Sequence, residues 1–249
     1  MRELAGTARF VSDLHLRPER PDLTRRFAAF LADSAAANVG SLFILGDLFE
    51  YWIGDDDPCD PFNEEICHLL RSTADMGVGL YFVAGNRDFL LGQRFASTAR
   101  MVLLDEPVKV GAGGTPTLLI HGDIVCSDDL PYQEFRRMVR SDDWKRRFLA
   151  RPLAERRDEV AALRRRSAEA MQAKTAEIMD ANAGAIRALL AAHGCKRLIH
   201  GHTHRPGHEE FELPECGRSE RWVLSDWDSD RGDALEIGPA GIRRLMIPI

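Results

Sequence analysis

The sequence contains no run of about 18 or more apolar residues, the length a helix needs to cross a bilayer, so no membrane-spanning helix is expected. Its opening residues, Met1-Arg-Glu-Leu-Ala-Gly-Thr-Ala-Arg9, lack the apolar core of a secretory signal, and the expectation is a cytoplasmic chain. Cysteine is scarce and badly spaced for bridging. The five cysteines, at 59, 67, 126, 195 and 216, are odd in number and form no Cys-x-x-Cys pair. That disfavours a disulfide framework or a thiolate zinc site and suits reduced thiols used for packing. Internal repeats and low-complexity segments are also absent.

What is present is apolar mass. With 249 residues, 45% of them hydrophobic, the chain can bury a large core in one α/β domain or in a domain carrying an insertion. The net charge of −6 hides an asymmetry: between Arg136 and Lys174 thirteen Lys/Arg face six Asp/Glu, a local +7 that leaves −13 for the remainder. An acidic remainder fits a body holding metal-binding carboxylates. The basic segment needs its own explanation.

The chain is organised around Leu42-Phe-Ile-Leu-Gly-Asp-Leu-Phe-Glu50. A short unbroken apolar run suits a strand buried on both faces, and Gly46 lets the backbone bend so that Asp47 projects from the strand's carboxyl end. Alone, this is an ordinary turn. The pattern recurs, however, at Phe10-Val-Ser-Asp13-Leu-His15, Tyr81-Phe-Val-Ala-Gly-Asn86-Arg-Asp88, Leu118-Leu-Ile-His121-Gly-Asp and Leu198-Ile-His-Gly-His202-Thr-His204. Each apolar run ends in Asp, Asn or His, the side chains that bind divalent metals, and the ends of strands are where open α/β sheets bind ligands. Alternation in an extended segment puts His202 and His204 on one side. Asp47 stands at the centre, as a carboxylate able to bridge two ions.

Strands are expected at 8–15, 42–46 and 79–84, with helices between them capped by Asp22 or Thr24 and starting near Asn63, the latter stopped by Gly77. Short strands follow at 101–104, 108–110 and 117–120, with 111–116 as a hairpin loop. Residues 131–193 read as helix broken near Pro152, ending in a helix over 183–193, before a strand at 197–199. Residues 222–249 read as closing antiparallel strands turning at Gly238–Gly241.

In this order the motifs Asp-x-His, Gly-Asp, Gly-Asn-x-Asp, His-Gly-Asp and Gly-His-x-His resemble the signature of the calcineurin-like metallophosphoesterases. The resemblance implies an α/β fold, a four-layer double β-sandwich flanked by helices, with a helical lid insertion at 131–182 of a single domain over 1–249. It implies that Asp13, His15 and His204 hold one metal, that Asn86, His121 and His202 hold another, and that Asp47 bridges them. Two ions so placed clamp a phosphoryl group for in-line attack by water, and the mixed donor set suits Mn²⁺ without excluding zinc or iron.

Arg87 stands where many members of the superfamily have His. Arginine grips phosphate oxygens but is a poor general acid, which favours a leaving group needing little protonation, such as a phosphate. A plain ion pair between Arg87 and Asp88 is the alternative. Gly85-Asn-Arg-Asp-Phe-Leu-Leu-Gly92, Gly122-Asp-Ile-Val-Cys-Ser-Asp-Asp-Leu-Pro-Tyr-Gln133 and His200-Gly-His-Thr-His-Arg-Pro206 are similar to the branch that cleaves UDP-2,3-diacylglucosamine during lipid A synthesis. That similarity implies two Mn²⁺ ions and attack on the uridine-side phosphorus. It further implies catalytic roles for Asp47, Asn86, Arg87 and His202, and substrate contacts from Asn86, Arg87, Asp129, Ser167, Met171, Lys174 and His202. Met171 departs from the asparagine common in relatives, and Asp129 has a second reading, as part of a helix N-terminus. His200 reads as orienting its neighbours.

The 136–174 segment interleaves its charge with Trp144, Phe148, Leu149, Leu153, Val160, Leu163 and Met171. It is either a lid whose apolar face holds acyl chains at the cytoplasmic face of the inner membrane, or a helical hairpin packed on the core. It lacks the aromatic platforms expected for single-stranded nucleic acid, and nothing calls for an obligate protein partner. A different phosphoesterase substrate, or a scaffold without metals, are the competing functions.

Overall fold

The computed structural model describes residues 2–56, 60–172 and 180–248, with Arg2 and 166–172 described by backbone alone. Two six-stranded sheets face each other. The first follows the βαβ reading: β2 (Ala8–Val11), β3 (Ser41–Ile44), β4 (Gly79–Val83) and β5 (Met101–Leu104) are parallel neighbours, and β11 (Asp233–Gly238) and β12 (Gly241–Met246) extend it antiparallel beyond β2. The second runs in the order β1 (Arg2–Glu3), β6 (Val108–Ala112), β7 (Thr115–Leu119), β8 (Arg197–His200), β10 (Gly217–Val223), β9 (Gly207–Leu213). Phe10, Phe43, Leu45 and Val83 from one sheet meet Val110, Leu119 and Ile199 from the other, and all are buried. Helices α1 (Pro21–Ala36), α2 (Pro61–Asp75) and α3 (Gln93–Thr98) cover the outer face of the first sheet through Phe27, Phe30, Ile66, Leu70 and Phe95. Helix α7 (Ala183–His193) covers the second through Ile186 and Leu190. Helix, sheet, sheet and helix are the four layers the motifs imply.

Local chemistry explains where boundaries depart from expectation. Helix α1 begins at Pro21, ahead of both proposed caps, and no side chain caps it. Proline at the first turn needs no N–H partner and presets φ, while Asp22 pairs instead with Arg20, Nη2 to Oδ2 at 2.8 Å. Helix α2 starts two residues before Asn63, at Pro61, where the Asp60 carboxylate accepts from the Phe62 and Asn63 N–H groups. The hairpin loop at 111–116 shrinks to Gly113 and Gly114, both with positive φ, so β6 and β7 are longer than expected. The 222–249 reading is corrected: the first of its strands, β10, begins at Gly217, pairs antiparallel with β9 and runs parallel to β8, and a loop separates it from β11.

The helical segment breaks twice, giving α4 (Leu130–Val139), α5 (Asp142–Leu149) and α6 (Leu153–Gln172). Ser141 caps α5 by accepting from the Trp144 N–H. Of the apolar side chains expected to face a lipid, Phe148 is buried in the main core, while Trp144 and Val160 pack against it. Trp144 stacks on Phe148 at 4.7 Å and meets Phe89 at 6.0 Å. The hairpin-on-core alternative therefore describes these three residues. Ser167 and Met171 lie on α6 where only backbone is described, and Lys174 lies outside the described residues. Among the described residues no helix is long and apolar enough to cross a membrane.

Candidate metal centre

The loops after β2, β3, β4, β7 and β8 converge at one end of the sandwich. Asp13, His15, Asp47, His202 and His204 all have φ between 49° and 67°, the left-handed region that side chains other than glycine rarely adopt. Such strain persists where the surrounding structure demands it, and here it turns the strand-end side chains inward. Close approach demands glycine beside them. A Cβ on Gly85 would collide with the Asp47 carboxylate, and one on Gly201 would collide with Asp13.

All seven expected ligands meet. His15 and His204 face each other through Nε2 atoms 3.3 Å apart, and His204 Nε2 lies 3.4 Å from Asp13 Oδ1. On the other side Asn86 Oδ1 lies 2.8 Å from His121 Nε2 and 3.0 Å from His202 Nδ1. Asp47 sits between, Oδ1 at 3.8 Å from His121 Nε2 and Oδ2 at 4.0 Å from His15 Nδ1. Two groups have donor atoms close enough for one cation each: Asp13, His15 and His204, and Asp13, Asp47 and His121.

The electrostatics suit cations. Burial lowers His15 and His202 to about 4, so both imidazoles are neutral and able to donate a lone pair. Burial raises the Asp47 carboxyl to about 7, with His121 opposing and Asp88 and Asp13 adding to the rise. Burial also opposes protonation of His121, but Asp47, Asp13, Asp123 and Glu106 outweigh it and raise that imidazole to about 9. Asp13 Oδ1 and His15 Nδ1 are buried without a hydrogen-bond partner. An orphaned buried oxygen, the neutral imidazoles of His15 and His202, clustered carboxylates, and a His121 proton held by surrounding negative charge that a cation would displace are the donor set of a hard or borderline divalent ion, and the site fits one.

Several partners differ from the sequence reading. Arg87 does not pair with Asp88: its Nη1 donates to Glu50 at 3.0 Å, and its backbone N–H donates to Asp47 Oδ1 at 2.9 Å. Asp88 is fully buried and accepts from four backbone N–H groups, at Gly85, Asp47, Leu48 and Phe49. Asp129 caps α4 by accepting from the Tyr132 N–H at 3.2 Å, as its second reading held. His200 Nδ1 donates to the Gly201 carbonyl and Nε2 accepts from Arg221 Nε, both at 2.8 Å, so it sits outside the ligand cluster. Burial, then the Arg221 charge, push it down to about 3.

Sequence reasoning missed the buried carboxylates that organise these loops. Asp123 accepts from Tyr132 Oη at 2.9 Å and Arg136 Nε at 2.7 Å, tying α4 to the centre. Glu50 collects Arg17, Arg87 and Arg164. Asp226 lies 3.5 Å from His204 Nδ1. Asp123 closes the His-Gly-Asp motif, but nothing local shows that it is buried under Tyr132 and Arg136. Glu50 and Asp226 carry no local signal, because Arg87, Arg164 and His204 lie far from them along the chain.

Comparison with known proteins gives the family. Residues 8–206 match the calcineurin-like phosphoesterase family. A UDP-2,3-diacylglucosamine hydrolase of Aromatoleum aromaticum is 49% identical over 225 residues, covering 90% of each chain. One from Chromobacterium violaceum is 44% identical, covering 96% of this chain and 98% of that one. A dimetal phosphatase from Danio rerio superposes with a TM-score of 0.50 at 12% identity over 99% of this chain and all of that one, a likeness of fold. With the family match spanning every strand-end motif and relatives of this similarity covering nearly its full length, the chain belongs to the calcineurin-like phosphoesterase family and, within it, to the UDP-2,3-diacylglucosamine hydrolases.

Proposed function

We propose that the chain hydrolyses the diphosphate of UDP-2,3-diacylglucosamine, giving UMP and 2,3-diacylglucosamine 1-phosphate, with two Mn²⁺ ions as its cofactors. The observation that carries the proposal is a seven-residue donor cluster with the Arg87 guanidinium at its rim. Asp13, His15 and His204 would hold one ion, Asn86, His121 and His202 the other, and Asp47 would join them. When bound, divalent ions supply Lewis-acid charge toward a phosphoryl oxygen and make water more acidic.

The chain's own residues supply position. Asp88 fixes the turn bearing Asp47 against the turn bearing Asn86 and Arg87. Arg87, its backbone bonded to Asp47, presents its guanidinium beside the cluster, where it can grip phosphate oxygens bidentately. An arginine side chain is a poor proton donor, which suits a phosphate leaving group. His202 would serve both ion and substrate. Asp129, Ser167, Lys174 and Met171 are proposed contacts to the sugar and lipid portion, with α4–α6 as a lid. Leu130, Met138 and Leu149, apolar and exposed on α4 and α5, support peripheral binding to the cytoplasmic face of the inner membrane.

The test is Mn²⁺-dependent UMP release from UDP-2,3-diacylglucosamine beside a UDP-sugar without acyl chains. Strong preference for the diacylated compound is expected. Equal rates would remove the acyl-holding role of the helices, and no release from either would refute the substrate.

A further inference from the structure

Glu50 lies just beyond the β3 turn, 6% exposed, and no part of the chemistry above uses it directly. Its Oε1 accepts from Arg87 Nη1 at 3.0 Å and from Arg164. Its Oε2 accepts from Arg17 Nη1 at 3.2 Å and lies 3.6 Å from His15 Nδ1. That nitrogen has no hydrogen-bond partner, and the Asp47 carboxylate is farther, at 4.0 Å. Because His15 Nε2 faces His204 and Asp13, Nδ1 is the outer nitrogen, and an outer ring N–H needs an acceptor to fix tautomer and ring angle.

His204 is built in the same way. Its Nε2 faces Asp13, and its Nδ1 lies 3.5 Å from Asp226, a carboxylate that Arg231 Nη2 holds at 2.6 Å. His121 differs, since its Nδ1 meets the Leu45 carbonyl at 2.8 Å. The two histidines of the first group are therefore backed by carboxylates, and His121 by a peptide oxygen. Only Glu50 also holds the phosphate-facing arginine. Three guanidiniums on one carboxylate leave positive charge in excess, so phosphate oxygens can engage Arg87 without Glu50 losing its other partners.

Building on the dinuclear phosphoesterase reading, we infer that Glu50 is a positioning residue that couples metal site to phosphate grip. One oxygen orients His15 toward its ion, and the other holds Arg87 where the diphosphate arrives. Asp226 acts on the metal side alone, through His204.

The experiment titrates Mn²⁺ into metal-free full-length protein by calorimetry and separately measures KM and kcat at saturating Mn²⁺. Glu50→Gln is expected to weaken one of the two Mn²⁺ binding steps about 10- to 100-fold and to raise KM about tenfold or more, more than it changes kcat. Asp226→Asn should weaken a Mn²⁺ step with KM unchanged, and Arg87→Ala should raise KM with both Mn²⁺ steps unchanged. Should Glu50→Gln fail to fold by circular dichroism, Glu50→Asp keeps the charge on a shorter stem and should show the same double effect in smaller measure. Unchanged Mn²⁺ steps in the folded Glu50 variant, or weakened steps with a wild-type KM, would overturn the coupling. If the wild type releases no UMP, the substrate reading fails by itself. Pyrophosphate binding in the presence of Mn²⁺ then replaces KM, and an unchanged affinity in Glu50→Gln overturns the inference.

Discussion

Replacing Asp88 with Asn tests whether one buried carboxylate holds the centre in register. Asp88 is fully buried, and every hydrogen bond it makes is one that it accepts. Oδ1 takes the Gly85 N–H at 2.9 Å and the Asp47 N–H at 3.3 Å, while Oδ2 takes Leu48 at 2.7 Å and Phe49 at 3.4 Å. Asparagine must turn its NH₂ toward one of these pairs, setting donor against donor. One short bond and one long one are lost, and the two N–H groups stay buried without an acceptor. At ~1–3 kcal/mol per orphaned donor, less for the longer bond, the loss is ~2–4 kcal/mol. That is a large part of the ~5–15 kcal/mol by which domains are stable. Urea unfolding measures it as a lower midpoint at an unchanged slope. Because the Asp47 N–H is among the four donors, Mn²⁺ affinity should fall as well. A loss below ~0.5 kcal/mol, less than one net hydrogen bond, together with wild-type Mn²⁺ binding would refute the reasoning.

Asp47→Ala should abolish turnover and reduce bound metal measured by elemental analysis, since one carboxylate lies between both ligand groups; near-normal rates in a folded variant would sink the two-metal reading. Among the described residues Arg156 is the largest fully buried side chain, and it ties α6 to the Ile53 carbonyl at 2.7 Å and to Asp56. Asp56 is half exposed and is rehydrated cheaply, so Arg156→Met should cost only ~1–2 kcal/mol but speed amide exchange in α6, and unchanged exchange would contradict the latch. Burial, then the Asp123 charge, push the Cys126 thiol up to about 12. At pH 8 it is therefore protonated as well as covered, and it should resist a disulfide reagent until the protein unfolds; rapid labelling in the native state would show the site to be open.

The strand-end cluster was legible because each of its residues sits at the end of an apolar run beside a residue that lets the chain turn, which is a local pattern. The β9–β10 hairpin was not, because Gly-His-Glu-Glu-Phe-Glu-Leu lies at a sheet edge with His208, Glu209, Glu210 and Glu212 exposed, and carries little apolar alternation to read. Buried charge was harder still. Asp88 looks like a turn residue until the chain brings the 47–49 amides to it, and Glu50 looks solvated until Arg164, 114 residues away, arrives. The same long-range pairing accounts for the charge asymmetry. Arg136 reaches Glu106 and Asp123, Arg140 reaches Asp123, Arg156 reaches Asp56 and Arg164 reaches Glu50, so four cations of the basic segment point inward at the acidic body. Those ion pairs dock the helices beside the strand ends. Since Arg164 and Arg87 share Glu50, seating of α6 and the phosphate grip proposed for Arg87 draw on one carboxylate. A phosphate that engages Arg87 leaves Glu50 freer to hold Arg164, so substrate binding should tighten the helical insertion against the site.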